Sequence, residues 1–73
     1  MSIRIEFGPG NSLETSQLFE DVQEVLDNRG FQSVLGYDPR AVEVLKNGVA
    51  ACGSAPVIDG DILTLHTKAH TKG

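Results

Sequence analysis

Ile3, Ile5 and Phe7 alternate with Ser2, Arg4 and Glu6. A period of two puts the three apolar side chains on one face and predicts a strand over residues 2–7. Gly8-Pro9-Gly10-Asn11 reads as a turn, because glycine permits positive φ and proline fixes its own. Residues 12–18 predict a second, more polar strand, so the chain opens with a hairpin. Over residues 19–35 the period changes. Phe19, Val22, Val25 and Leu26 recur at spacings of three and four, the stripe of an amphipathic helix. Glu20, Asp21 and Glu24 near its start complement the helix dipole, and Thr15 or Ser16 is the expected cap. Asn28-Arg29-Gly30 ends or bends this helix, with Gly30 suited to a left-handed cap. A further helical turn holds Phe31, Val34 and Leu35 and closes at Gly36, and Asp38-Pro39 blocks any continuation.

Ala41 to Leu45 is β-branched-rich and predicts a strand. Asn47-Gly48 is a strong hairpin signal, with Val49-Ala50-Ala51 as the short returning partner. Residues 53–58 form an irregular crossing with an apolar end, Asp59-Gly60 a turn, and 62–66 the last strand, with Leu63 and Leu65 on one face. Residues 67–73 hold no large apolar side chain and are expected to be a flexible C-terminal tail, so the domain is expected to span residues 1–66. A helix after a hairpin must cover one sheet face, since both apolar sides need burial. The expected architecture is therefore α+β, a mixed sheet of four to five strands with one main helix across one face. The first and last strands, being the most apolar, belong at its centre.

At 73 residues and 40% hydrophobic content the chain holds one domain. That is too little to wall a deep catalytic pocket, and it favours a small non-enzymatic binding or carrier module. Six basic against ten acidic side chains give a net charge of −4, the wrong sign for displacing counterions from a nucleic acid. Cys52 stands alone, which excludes an internal disulfide and fits a reducing, cytoplasmic setting. No apolar run is long enough for a signal peptide or a membrane span.

Several candidate chemistries are weak when read residue by residue. The neighbours of Cys52 supply no charge to lower its pKa. His66 and His70 lie four apart, a spacing that joins side chains on a helix and not on a strand, and no third ligand is near. Gly8-Pro9-Gly10 opens into a polar strand, whereas a phosphate loop opens into a helix. Glu20, Asp21, Glu24 and Asp27 form the polar side of the helix, which is ordinarily a solvated face and at most engages a basic partner. A single helix leaves the other sheet face to water or to a protein partner. Leu13, Tyr37, Leu45 and Ile62 are the candidates for that partner-binding surface.

The run Val42-Glu43-Val44-Leu45-Lys46-Asn47-Gly48, followed by Pro56-Val57-Ile58-Asp59-Gly60-Asp61-Ile62-Leu63-Thr64-Leu65, resembles ubiquitin-like β-grasp proteins. It is most similar to the small sulfur carriers of molybdopterin and thiamine synthesis. The resemblance spans roughly residues 19–66 in order and spacing. It implies a carrier with no cofactor of its own, whose C-terminal glycine, here Gly73, is activated as an acyl-adenylate by an adenylating, E1-like partner enzyme. The family pattern ends in Gly-Gly, whereas this chain ends in Lys72-Gly73, with His70 and Lys68 nearby. The alternative reading is a β-grasp binding or assembly module with no conjugation or sulfur-carrier chemistry.

Overall fold

The computed structural model of the protein describes residues 2–67. Five strands and two short helices follow one another as β1 (Ile3–Phe7), β2 (Ser12–Thr15), α1 (Val22–Leu26), α2 (Arg29–Leu35), β3 (Val42–Lys46), β4 (Val49–Ala51) and β5 (Ile62–Thr67). The strands form one sheet in the order β2-β1-β5-β3-β4. β1 and β5 run parallel at its middle, and every other pair is antiparallel. The expected hairpins and the central placement of the first and last strands agree with this order. The chain thus has an α+β, ubiquitin-like β-grasp fold.

Side chains alternate across the sheet. Ile3 and Ile5 of β1, Val42 and Val44 of β3, and Leu63 and Leu65 of β5 are all buried on one face. Against them pack Val22, Val25 and Leu26 of α1 and Leu35 of α2, completing a core that Tyr37 and Val57 close. Phe19 and Phe31 meet edge-to-face at 5.7 Å between centroids, covering the side of this core.

The expected break near Asn28-Arg29-Gly30 is present, but the part before it is short and no single main helix crosses the sheet. Two helices of five and seven residues meet at Asp27-Asn28. Helices this short are unstable alone, so their ends depend on specific partners. Asp21, not Thr15 or Ser16, caps α1, its carboxylate accepting from the Glu24 N–H at 2.9 Å. Asn28 caps α2, its side-chain oxygen accepting from the Phe31 N–H at 3.1 Å. Gly30 therefore lies inside α2, and Val34 points to solvent. At the other end Gly36 adopts the left-handed conformation expected of it (φ 78°).

The irregular crossing supplies α1 with what a short helix lacks. The Val22 and Gln23 N–H groups donate to the carbonyls of Ala55 (3.0 Å) and Gly53 (2.8 Å), and Val57 N–H donates to the Glu20 carbonyl (3.2 Å). A Cβ at position 53 would lie 2.6 Å from Gln23 Oε1, the movable end of an exposed side chain, and 3.3 Å from Gln23 Cβ, so the crossing lies close against the helix. Asn11, in the β1–β2 turn, donates from Nδ2 to the Leu35 carbonyl at 2.8 Å, tying that turn to the end of α2.

Candidate protein-docking face

Both helices pack on one side of the sheet, and the alternation along each strand assigns the opposite face. There stand Arg4 and Glu6 of β1, Ile62, Thr64 and His66 of β5, Glu43 and Leu45 of β3, and Ala50 of β4. The register sets Arg4 beside Ile62, Glu6 and Leu45 on either side of Thr64, Glu43 beside His66, and Ala50 beside Leu45. The result is a shallow surface with Thr64 at its centre, Leu45 and Ile62 next to it, and Ala50 on the edge strand β4. Charged groups flank it. Arg4 Nε pairs with Glu6 Oε2 at 2.9 Å on one side, and His66 Nε2 lies 4.0 Å from Glu43 Oε1 on the other. Such an arrangement can present apolar area within a charged rim to another protein.

Of the four residues expected on a partner-binding surface, the structure brings two together. Ile62 is 43% exposed and Leu45 half-buried, both on the open face. Leu13 does not join them: it sits opposite Ile5 across the β1–β2 pair, half-buried on the helix side. Tyr37 is only 5% exposed, so it belongs to the core and to no docking surface. Its ring meets Phe7 edge-to-face at 6.1 Å. Its hydroxyl donates to the Leu26 carbonyl at 3.1 Å, with the Val25 carbonyl at 3.4 Å, satisfying groups at the end of α1. Burial, with Asp27 adding a repulsive charge, pushes the phenol up to about 12. A tyrosine after a glycine cap has the same local sequence signature whether it points in or out.

A second feature was not singled out from sequence. Asp61, 4% exposed, accepts from Asn47 Nδ2 at 2.9 Å through Oδ1 and from the Ile58 N–H at 2.8 Å through Oδ2. Asn47 Oδ1 in turn accepts from the Ile62 N–H at 2.9 Å, and the Asn47 N–H donates to the Ile62 carbonyl at 2.8 Å. The β3–β4 turn is thereby clasped to the turn that launches β5. Burial alone would raise the Asp61 carboxyl, but the Ile58 N–H, the Asn47 amide and the Lys46 charge outweigh it and hold the group below the ordinary carboxylate range.

The remaining candidates resolve into local roles. Cys52 is exposed, and its Sγ lies 3.2 Å from Ser54 Oγ, a contact that lowers the thiol pKa. Of the acidic residues on the helix, Asp21 serves as a cap, Glu24 accepts from the Glu20 N–H at 2.6 Å, and Asp27 accepts from Gln23 Nε2 at 3.0 Å. Among the described residues no cluster of three His, Cys, Asp or Glu side chains is placed to hold a metal ion. Nor is any helix there long and apolar enough to cross a membrane. Thr67 pairs with Val42 and so belongs to β5. The rest of the expected tail, with His70 and Gly73, lies outside the described residues.

No protein-family model matches the chain. No curated protein matches it either. Two solved structures do, over almost its whole length. The crystal structure of SAMP1 from Haloferax volcanii has a TM-score of 0.68 at 17% identity, covering 99% of this chain and all of that one. The NMR structure of a computationally designed protein based on human erythrocytic ubiquitin has a TM-score of 0.64 at 24% identity, covering 99% of this chain and 94% of that one. The chain is thus a small protein of ubiquitin-like fold.

Proposed function

We propose that this protein is a non-enzymatic, sulfur-carrier-like or ubiquitin-like module that works through its C-terminal glycine and docks on its partner by the open sheet face. The observation that carries the reading is the position of β5. It is the central strand, parallel to β1, and its pairing runs on to Thr67 opposite Val42. The next six residues lead to Gly73. An extended segment of that length can reach about 20 Å, enough to enter an active-site channel.

In this reading an adenylating partner binds through Leu45 and Ile62 and receives the Gly73 carboxylate. The carboxylate oxygen attacks the α-phosphorus of ATP, pyrophosphate leaves, and an acyl-adenylate results. A sulfide donor on the partner side then displaces AMP at the acyl carbon, leaving a thiocarboxylate. The carrier contributes no catalytic group; it is the substrate. Glycine suits the role because it has no side chain to obstruct a narrow channel.

The second reading, a binding or assembly module without this chemistry, is favoured by Lys72, a long charged residue where the resembling carriers have glycine. Intact-mass measurement after incubation with ATP and a cognate adenylating enzyme separates the two. A sulfur-for-oxygen mass gain that disappears when Gly73 is deleted supports the carrier. Recovery of the same partner with and without residues 68–73, with no mass change, overturns it.

A further inference from the structure

We propose that Asn47 is a gated deamidation site, a one-way latch held shut by the Asn47–Asp61 clasp. Asn47 precedes Gly48, whose backbone nitrogen is unshielded by any side chain. Among the described residues Asn47 is the only non-glycine with a positive φ, at 53°. An Asn-Gly sequence is the one in which a backbone nitrogen most readily reaches a side-chain amide carbon, because glycine leaves that nitrogen unhindered.

The reaction balances without any oxidant or enzyme. The Gly48 nitrogen attacks Asn47 Cγ, a C–N bond forms, and the Cγ–Nδ2 bond breaks. Ammonia leaves with the proton given up by the Gly48 nitrogen, and a five-membered imide remains. Water then adds across either imide carbonyl and opens the ring to an aspartyl or isoaspartyl product.

The folded structure opposes the first step. Attack requires the carboxamide to turn freely so that Cγ can meet the Gly48 nitrogen, but Nδ2 is held by Asp61 Oδ1 at 2.9 Å and Oδ1 by the Ile62 N–H at 2.9 Å. The backbone N–H of Asn47 is fixed as well, on the Ile62 carbonyl at 2.8 Å. Reaction therefore waits on local opening of the turn. Once it has happened the clasp cannot re-form. The new carboxylate takes the place of the Nδ2 donor and faces the buried Asp61 carboxylate, two like charges where a hydrogen bond stood. Opening is reversible before the chemistry and irreversible after it.

The test follows the amide at position 47 by peptide mapping and mass spectrometry on the full chain at neutral pH. In Asp61→Asn the residue at 61 cannot accept from both Asn47 Nδ2 and the Ile58 N–H, so the clasp is weakened at nearly constant volume. Deamidation of the folded wild type is expected to be slower than in Asp61→Asn by about tenfold or more, the equivalent of one hydrogen bond to a charged group. Equal rates in the two folded proteins overturn the proposal. A second measurement needs no variant. Across urea concentrations below the global transition, the wild-type rate is expected to rise in step with hydrogen exchange of the Ile62 amide. A rate that follows only global unfolding overturns the local gate. Deamidated protein, separated by ion exchange, is expected to unfold at lower urea than the parent; an unchanged midpoint overturns the latch.

Discussion

Ile5 and Leu63 stand side by side across the parallel β1–β5 pair, and both are completely buried. One comes from the first strand and the other from the last, so this contact closes the largest loop of the fold. Leu63→Ala is expected to cost about 3 kcal/mol, the transfer term plus the cavity left in a packed core. That is a large part of the stability of so small a domain. Ile5→Val, removing one methyl group, is expected to cost about 1 kcal/mol. Urea unfolding followed by circular dichroism checks both, and similar midpoints for Leu63→Ala and wild type would contradict the assignment of β5 to the centre.

The Tyr37 hydroxyl makes a different kind of contribution, because it completes the carbonyl end of α1. Tyr37→Phe keeps the ring against Phe7 and loses the hydrogen bond, with an expected cost of about 1 kcal/mol. The phenol also carries a pH signature. Its folded pKa of about 12 is above its ordinary value, so its contribution is complete below about pH 10 and fades as pH rises toward the folded value. Ultraviolet titration of the sole tyrosine should show ionisation near 12; a midpoint at the ordinary value would place Tyr37 in solvent.

Asp61 has the opposite sign. Its carboxyl is held below the ordinary value in the folded protein, so it stabilises above about pH 4 and the contribution is lost as pH falls through the folded value. Wild type is expected to lose stability between pH 4 and more acid conditions more steeply than Asp61→Asn. Parallel stability curves for the two proteins would show that the clasp holds no charge-dependent energy.

On the open face, Leu45→Ser and Ile62→Ser remove apolar area that is already partly in water. Each is expected to change stability by about 1 kcal/mol or less, while on the proposed function the pair together abolishes capture of an adenylating enzyme. A serine at Leu13 should leave capture intact, since Leu13 lies on the helix side. Calorimetric titration against that partner distinguishes the surfaces, and retained affinity in the double variant would remove the open face from the proposed function.

Much of the fold was legible because its signals are local. Alternation marked β1 and β5, Asn47-Gly48 marked the β3–β4 turn, and Gly36 marked the end of α2. The break between the helices was harder. The Asn28 region was correctly read as a bend, but the caps were misplaced, because Asp21 and Asn28 reveal themselves as caps only through the N–H groups they meet. The open sheet face was half legible. Parity along β3 and β5 gives Leu45 and Ile62, but nothing in a local pattern shows that Tyr37 turns inward to reach the end of α1.

The strands, their apolar faces and the places where the chain reverses thus follow from local pattern, since each depends on a residue and its near neighbours. Only the tertiary structure decided which helix ends are satisfied by the 53–57 crossing, that Tyr37 is a core residue, and that Asn47 and Asp61 hold two turns together. Those are contacts between segments distant in the chain, fixed when backbone and side-chain polar groups leaving water must find partners within the fold.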